Sequence, residues 1–355
     1  MTEFRLSTSQ KTAIERVRNP GGSEMGVRLS DDMFIFLAVT IARDLERRDL
    51  FPSIKWDELP AFFDADFDFL INGLKEDYTA ILARLFNSVK DSDAYLMCLA
   101  TLHKSRLKYA QILCRQPMPT FDQVGPRGLL QFGRLSSKSI IGLLYWRKWL
   151  FDLDNRAAQE TGYLFEPILA HAIGGTPHSA SKSPVKRTRD AKKGRQVDCI
   201  RDKFAYEFKL RVTTAASGQG RWGEELDFPV DCKNSGYTPI LLVLDPTTNS
   251  KLVELESVFK ANGGQVFIGD SAWQHLEDVA GPVMSIFLNL YVRRPLIQLI
   301  EHAEDPIEKL QLTVYGGNVS ISIGEETMTI LRENVTENNE VYDMPSDVDE
   351  DLPGM

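Results

Sequence analysis

Asp198, Glu207 and Lys209 are of the types and spacing that could hydrolyse a phosphate ester. Two carboxylates held together repel unless a positive charge lies between them, and such oxygen ligands suit a hard divalent cation such as Mg²⁺. That cation can polarise a phosphoryl oxygen, lower the pKa of a bound water and stabilise the leaving oxygen. A neighbouring lysine could orient or deprotonate the attacking water, its own pKa lowered by the cation. A bare E-x-K arises about once by chance in a chain of this length, and its plain reading is an exposed strand face carrying an ion pair. Three features strengthen the catalytic reading: an acid at the end of a preceding short strand, strict apolar alternation around the E-x-K, and an upstream helix bearing Glu166.

These side chains need rigid elements to position them. Side chains alternate along a strand, so over 204–210 Phe204, Tyr206, Phe208 and Leu210 face a core while Ala205, Glu207 and Lys209 share the other face with Arg211. A second strand is predicted over Val197 to Ile200, and Arg201-Asp202-Lys203 suits the hairpin that would bring Asp198 toward Glu207. Upstream, residues 155–173 place Ala158, Leu164, Phe165, Ile168, Leu169 and Ala172 on one side of a helix closed by Gly174-Gly175. Downstream, a Gly-rich loop (215–220) leads into a helix containing Trp222. The apolar run 239–244 then has the composition of a strand buried on both faces. Helices over 252–261, 272–279 and 283–300, a strand over 266–268 and a hairpin centred on Gly316-Gly317 complete the pattern.

The expected fold class is therefore α/β, mixed α+β, with a central mixed sheet flanked by helices over residues 151–331. Residues 1–150 read as a mainly helical region, from the spacing of Phe34, Leu37, Ala38 and Ile41, of Phe69, Leu70 and Leu74, and of Ile81, Leu82 and Leu85. Residues 332–355 read as an acidic, disordered tail.

Asp198 followed by Glu207-Phe208-Lys209, with Glu166 on the helix before them, resembles the PD-(D/E)xK nuclease superfamily, and in particular its type II restriction endonucleases. The resemblance implies that Asp198 and Glu207 are Mg²⁺ ligands, that Lys209 assists the water and that Glu166 supports the site. Val197 stands where the pattern has its proline. Glu160 is the rival for the helical acid; helix geometry favours Glu166, at the margin of the packed face with Leu169 and Ile173. The segment Arg211 to Leu226 and the strand ending in Leu244-Asp245-Pro246 are similar to the ApaLI-type group of these enzymes, which implies a homodimer cutting a six-base palindrome.

Charge bears on the nucleic-acid reading in two opposed ways. The formal net charge is -9, which by itself points away from a polyanionic partner. Eight of the 50 acidic residues, however, lie between Glu333 and Asp351, leaving 42 against 41 basic residues in the body. Just before Asp198, Lys182, Lys186, Arg187, Arg189, Lys192, Lys193 and Arg195 form a basic run interrupted by Asp190, which suits a flexible phosphate clamp; the alternative is a solvated surface loop. Gln219 and Arg221 could read adenine and guanine edges, or simply begin a helix. Trp222 reads as a core anchor.

Cys98, Cys114, Cys199 and Cys232 show neither paired nor zinc-ligand spacing, and no apolar stretch is long enough to span a bilayer, so a soluble, cytoplasmic setting is expected. The functional expectation is a Mg²⁺-dependent type II restriction endonuclease acting on double-stranded DNA as a homodimer. The alternatives are a structure- or end-specific nuclease of the same superfamily and a non-catalytic DNA-binding protein.

Overall fold

Helices start where a side-chain oxygen can accept a first-turn N–H, and several boundaries in this chain follow that rule. In the computed structural model, which describes residues 5–19, 26–66, 69–71, 74, 77–125, 135–210, 219–301 and 305–332, α1 (Thr8–Arg18) opens on a capping box between Ser7 and Gln10. Ser30 caps α2 (Asp31–Asp44), and Asp77 caps α3 (Tyr78–Ser88). Then come α4 (Ser92–Arg115), the short α5 (Phe121–Val124) and α6 (Ser137–Ala172), capped by Ser136. The helical spacing at Phe69, Leu70 and Leu74 is not realised: the described residues there are irregular, and Leu70 is exposed.

The helix expected over 155–173 is the C-terminal half of α6, which runs unbroken across the 150/151 division. At its end Gly174 adopts φ 71° and the N–H of Gly175 donates to Ala170 O at 2.8 Å, a Schellman-type close. Gly175 is required for another reason: a Cβ there would lie 2.1 Å from Cys199 Sγ, so only glycine lets the chain pass this close to the next strand layer.

After α6 come β1 (Thr176–His178), β2 (Lys186–Arg187), β3 (Asp190–Gly194), β4 (Val197–Arg201) and β5 (Phe204–Lys209). They are followed by α7 (Gln219–Asn234), β6 (Thr238–Val243), α8 (Ser250–Ala261), β7 (Gln265–Ile268) and α9 (Asp270–Leu288). The central sheet has the order β1-β4-β5-β6-β7; β1, β4 and β5 pair antiparallel, whereas β5, β6 and β7 are parallel and joined through α7 and α8. The sheet is mixed and flanked by helices, as expected. The β4–β5 turn places Asp202 at φ 54°, a conformation that Asp tolerates better than most residues.

Each face of the sheet has its own apolar core. Tyr206, Phe208, Ile240 and Leu242 pack with Leu37 and Ile41 of α2, Leu96 and Leu99 of α4, Ile168 and Leu169 of α6, and Phe287 of α9. Ala205, Leu241 and Val243 pack on the other side with Phe228 of α7 and Phe259 of α8. The N-terminal helices thus share a core with the sheet. β6 is buried on both faces, which accounts for its uninterrupted apolar composition.

Three stretches depart from expectation. The basic segment is not irregular: β2 and β3 form an antiparallel pair with a register shift. The helix expected over 283–300 is continuous with the one before it through a kink at Gly281 (φ 76°), then passes through a π-helical turn, Asn289–Arg293, into α10 (Arg294–Glu301). The hairpin at Gly316-Gly317, formed by β8 (Leu310–Tyr315) and β9 (Asn318–Ile323), gains a third strand, β10 (Glu326–Ile330). No described helix is long and apolar enough to cross a membrane.

Candidate active site

The strand pair β4–β5 presents the central residues. The ladder is paired at Cys199↔Tyr206, and one step further toward Lys209 the carboxylate of Asp198 takes over as acceptor: the N–H of Phe208 donates to Asp198 Oδ2 at 2.8 Å. Asp198 is thereby fastened to the backbone between Glu207 and Lys209, and only 7% of its surface is exposed. Glu207 and Lys209 point away from Tyr206 and Phe208, as strand alternation requires, and both are partly buried. Lys209 Nζ lies 3.2 Å from Glu207 Oε1 and 3.5 Å from Glu225 Oε2 on α7.

Glu166 on α6 completes the group. Its carboxyl is pushed up to about 7, by burial first and then by the charge of Glu207, with Lys209 opposing. Asp198 is raised well above the ordinary carboxylate range, again by burial first and then by Glu207 and Glu166, against the Phe208 N–H and Lys209. Burial acts to lower the Lys209 ammonium, but the charges of Glu207, Glu225 and Asp198 outweigh it and the net shift is upward. In the protein alone this is opposite to the lowering expected beside a cation. Lys209 is a charged hydrogen-bond donor here and holds no free lone pair with which to act as a base.

Burial and the mutual repulsion of three carboxyls outweigh the one ammonium and push Glu166 and Asp198 toward their neutral forms, a cost that an added positive charge would relieve. That is the electrostatic setting for a divalent cation, and Asp198 and Glu207 supply oxygen donors of the right chemistry. Among the described residues no set of three or more His, Cys, Asp or Glu forms a ready metal-ligand group. Two carboxylates suffice for Mg²⁺, which keeps several waters and takes further oxygens from substrate phosphates.

The basic residues divide into different environments. Arg195 is buried and paired through Nε with Asp231 Oδ2, its side chain 9% and that of Asp231 2% exposed. Its Nη1 also donates to Glu224 O at 3.1 Å. It anchors the hairpin to α7, and the expected phosphate-clamp role does not match this buried position. Arg187 pairs with Glu224 at 2.6 Å and Arg189 with Asp227 at 3.1 Å, both partners on α7. Lys182, Lys186, Lys192 and Lys193 are exposed. Arg211 lies outside the described residues. Gln219 and Arg221 fall in the first turn of α7, and their side chains, like that of Glu160, are likewise outside them. Trp222 packs against the α7–α8 core, donates to Glu254 at 3.2 Å and lies under Lys251 Nζ, 4.8 Å from the ring centroid.

Glu225, beside Lys209, and Asp231, which anchors Arg195, are the two charged partners that spacing did not reveal. Both sit on a helix with little apolar periodicity, and their partners lie 16 and 36 residues earlier in the chain. The only local signal was the concentration of acids in Gly223-Glu224-Glu225-Leu226-Asp227.

No solved structure matches this chain. Among curated proteins, the type II restriction enzyme ApaLI of Acetobacter pasteurianus is 47% identical over 279 residues, which cover 74% of this chain and 72% of that enzyme. The family model described as ApaLI-like restriction endonuclease matches residues 65–293, a span that contains Glu166, Asp198, Glu207, Lys209 and Glu225. Type II restriction endonucleases as a class act on double-stranded DNA and generally need a divalent metal. With nearly half its residues shared across most of both chains, and the family model spanning the whole sheet that carries these acids, the protein belongs to the ApaLI-like restriction endonucleases, a family of site-specific deoxyribonucleases.

Proposed function

We propose that this chain cuts a palindromic DNA sequence as a homodimer, using Mg²⁺ held by Asp198 and Glu207. The observation that carries the reading is the junction of Asp198, Glu207 and Lys209 on adjacent antiparallel strands, with Glu166 close enough to feel the charge of Glu207. When bound, the cation supplies Lewis-acid polarisation of the phosphoryl oxygen and neutralises charge that develops in the transition state.

The protein's own groups do the rest. Asp198, tied to the Phe208 N–H, keeps one carboxylate oxygen pair in a fixed orientation, so little reorganisation is needed when substrate arrives. Lys209 donates hydrogen bonds that orient the attacking water and the scissile phosphate oxygens. Glu166, raised toward neutrality, can hold a proton close to the reacting centre. The exposed Lys182, Lys186, Lys192 and Lys193, with Arg187 and Arg189 exchanging their α7 partners for phosphates, would track the DNA backbone. Gln219, Arg221 and Arg211 are the candidates for contact with bases and the flanking backbone. A two-fold symmetric site favours a two-fold symmetric protein, one active site per strand.

The test is incubation with plasmid and phage DNA with and without Mg²⁺. Discrete, reproducible fragments that require the cation are expected, with Glu207→Gln and Lys209→Ala lowering the rate at least about 10²-fold while the fold is kept. Ragged or end-dependent digestion, or undiminished cleavage by either variant, would overturn the reading. Light scattering with a cognate duplex should give two chains per duplex; one chain cutting both strands would overturn the dimer.

A further inference from the structure

Lys209 is gripped from two elements. Glu207, two residues away on β5, reaches it at 3.2 Å, and Glu225, from α7, the helix of the β5–β6 crossover, reaches it at 3.5 Å. Glu225 has Lys209 as its ion-pair partner among the described residues, and its side chain is partly buried, so screening by solvent is incomplete.

The position of Glu225 is itself fixed. Six residues further along α7, Asp231 is buried against Arg195 and accepts the Thr188 N–H at 2.6 Å. Between them Phe228 stacks on Phe259 of α8 with ring centroids 5.8 Å apart. Apolar packing against the sheet and a buried ion pair to the β2–β3 hairpin thus hold α7 at a set rotation, with Glu225 directed to Lys209 at the end of β5.

Glu207 cannot serve two masters equally. A carboxylate that ligates a divalent cation gives up most of its attraction for a neighbouring ammonium, and the cation repels that ammonium as well. Lys209 would then be free to swing away unless a second carboxylate, outside the ligand set, retained it. We propose that Glu225 is a positioning residue for Lys209, holding its ammonium at the scissile phosphate while Glu207 is engaged as a ligand. This rests on the assignment of Asp198 and Glu207 as the cation ligands.

Glu225→Gln removes the charge and keeps the shape. The expected result is a fall in kcat of about 10- to 100-fold at an unchanged KM for the cognate duplex, with an unchanged unfolding midpoint. Glu225→Asp, which restores the charge, should recover part of the loss. A second readout needs no cation: in metal-free protein, amine-reactive labelling of Lys209, followed by peptide mass spectrometry, should rise severalfold in Glu225→Gln. Wild-type kcat and labelling in that variant would overturn the inference. So would a loss matched by an equal fall in unfolding midpoint, which would mark Glu225 as merely structural. Asp198→Asn and Glu207→Gln are run alongside. If both still cleave, the ligand assignment fails; if they are dead while Glu225→Gln is wild type, only the role of Glu225 fails.

Discussion

The carboxylate of Asp198 accepts the backbone N–H of Phe208 at 2.8 Å, so the acid that faces Glu207 also ends the β4–β5 ladder. Structure and chemistry share one side chain, and substitution should separate them. Asp198→Ala leaves a buried N–H without its acceptor and should cost about 1–3 kcal/mol of stability. Asp198→Asn keeps an acceptor oxygen but removes a charge repelled by Glu207 and Glu166. The folded-state pKa of Asp198 lies above its unfolded value, so the stability it contributes is full below the ordinary carboxylate range and is lost as pH rises through the folded value. The asparagine variant avoids that loss. In buffer free of divalent ions it should unfold at a higher temperature than wild type at pH 8, with a smaller difference at pH 5, and it should be inactive. A wild type more stable than Asp198→Asn at pH 8 would show that the Asp198 carboxyl is not raised by burial and by its acidic neighbours.

Arg195 and Arg189 belong to one basic run yet should behave oppositely. Arg195→Met strands Asp231 as a buried charge and should cost about 3–5 kcal/mol in denaturant unfolding. Arg189 is 80% exposed, and its pair with Asp227 is worth at most about 1 kcal/mol. Arg189→Ala should leave the unfolding midpoint nearly unchanged but lower the slope of log binding constant against log salt by about one for DNA. A stable Arg195→Met protein, or an Arg189→Ala protein with an unaltered salt slope, would show that the two residues have been assigned the wrong way round.

His103 makes stability depend on mild acid. Burial in α4, against the edge of Phe62 at 5.9 Å, pushes its imidazole down to about 4, and the charge of Arg106 adds to the shift. The unfolded chain binds this proton with an ordinary pKa near 6.5, so it takes up more protons than the native state between about 6.5 and about 4. The contribution of His103 is complete above that window and falls through it as pH drops, by up to about 3 kcal/mol. Chemical denaturation at pH 7, 5.5 and 4.5 should show a steeper decline for wild type than for His103→Gln. Parallel declines would mean that His103 titrates normally.

Much of the architecture was written locally. Serine and aspartate at positions 7, 30 and 77 start helices because their oxygens satisfy N–H groups that no helical carbonyl can reach. Alternation put Tyr206 and Phe208 on one face of β5 and Glu207 and Lys209 on the other, and a continuous apolar run marked β6 as a strand covered on both sides. These are effects between near neighbours, and they appear as period, composition or a cap.

Other features depended on contacts that no short window contains. The basic segment offers no periodicity, yet it folds because Arg187, Arg189 and Arg195 find Glu224, Asp227 and Asp231 on a helix about 36 to 38 residues later. The spacing at Phe69, Leu70 and Leu74 fits a helix, but periodicity is only a weak local preference, and tertiary packing left those residues irregular. By itself the sequence determined that Glu207 and Lys209 share one face of one strand, since strand geometry follows from alternation alone. Only the tertiary structure decided that Glu225 stands beside that strand and that Arg195 does not reach outward, because long-range charge pairing and burial are settled when helices from distant parts of the chain close over the sheet.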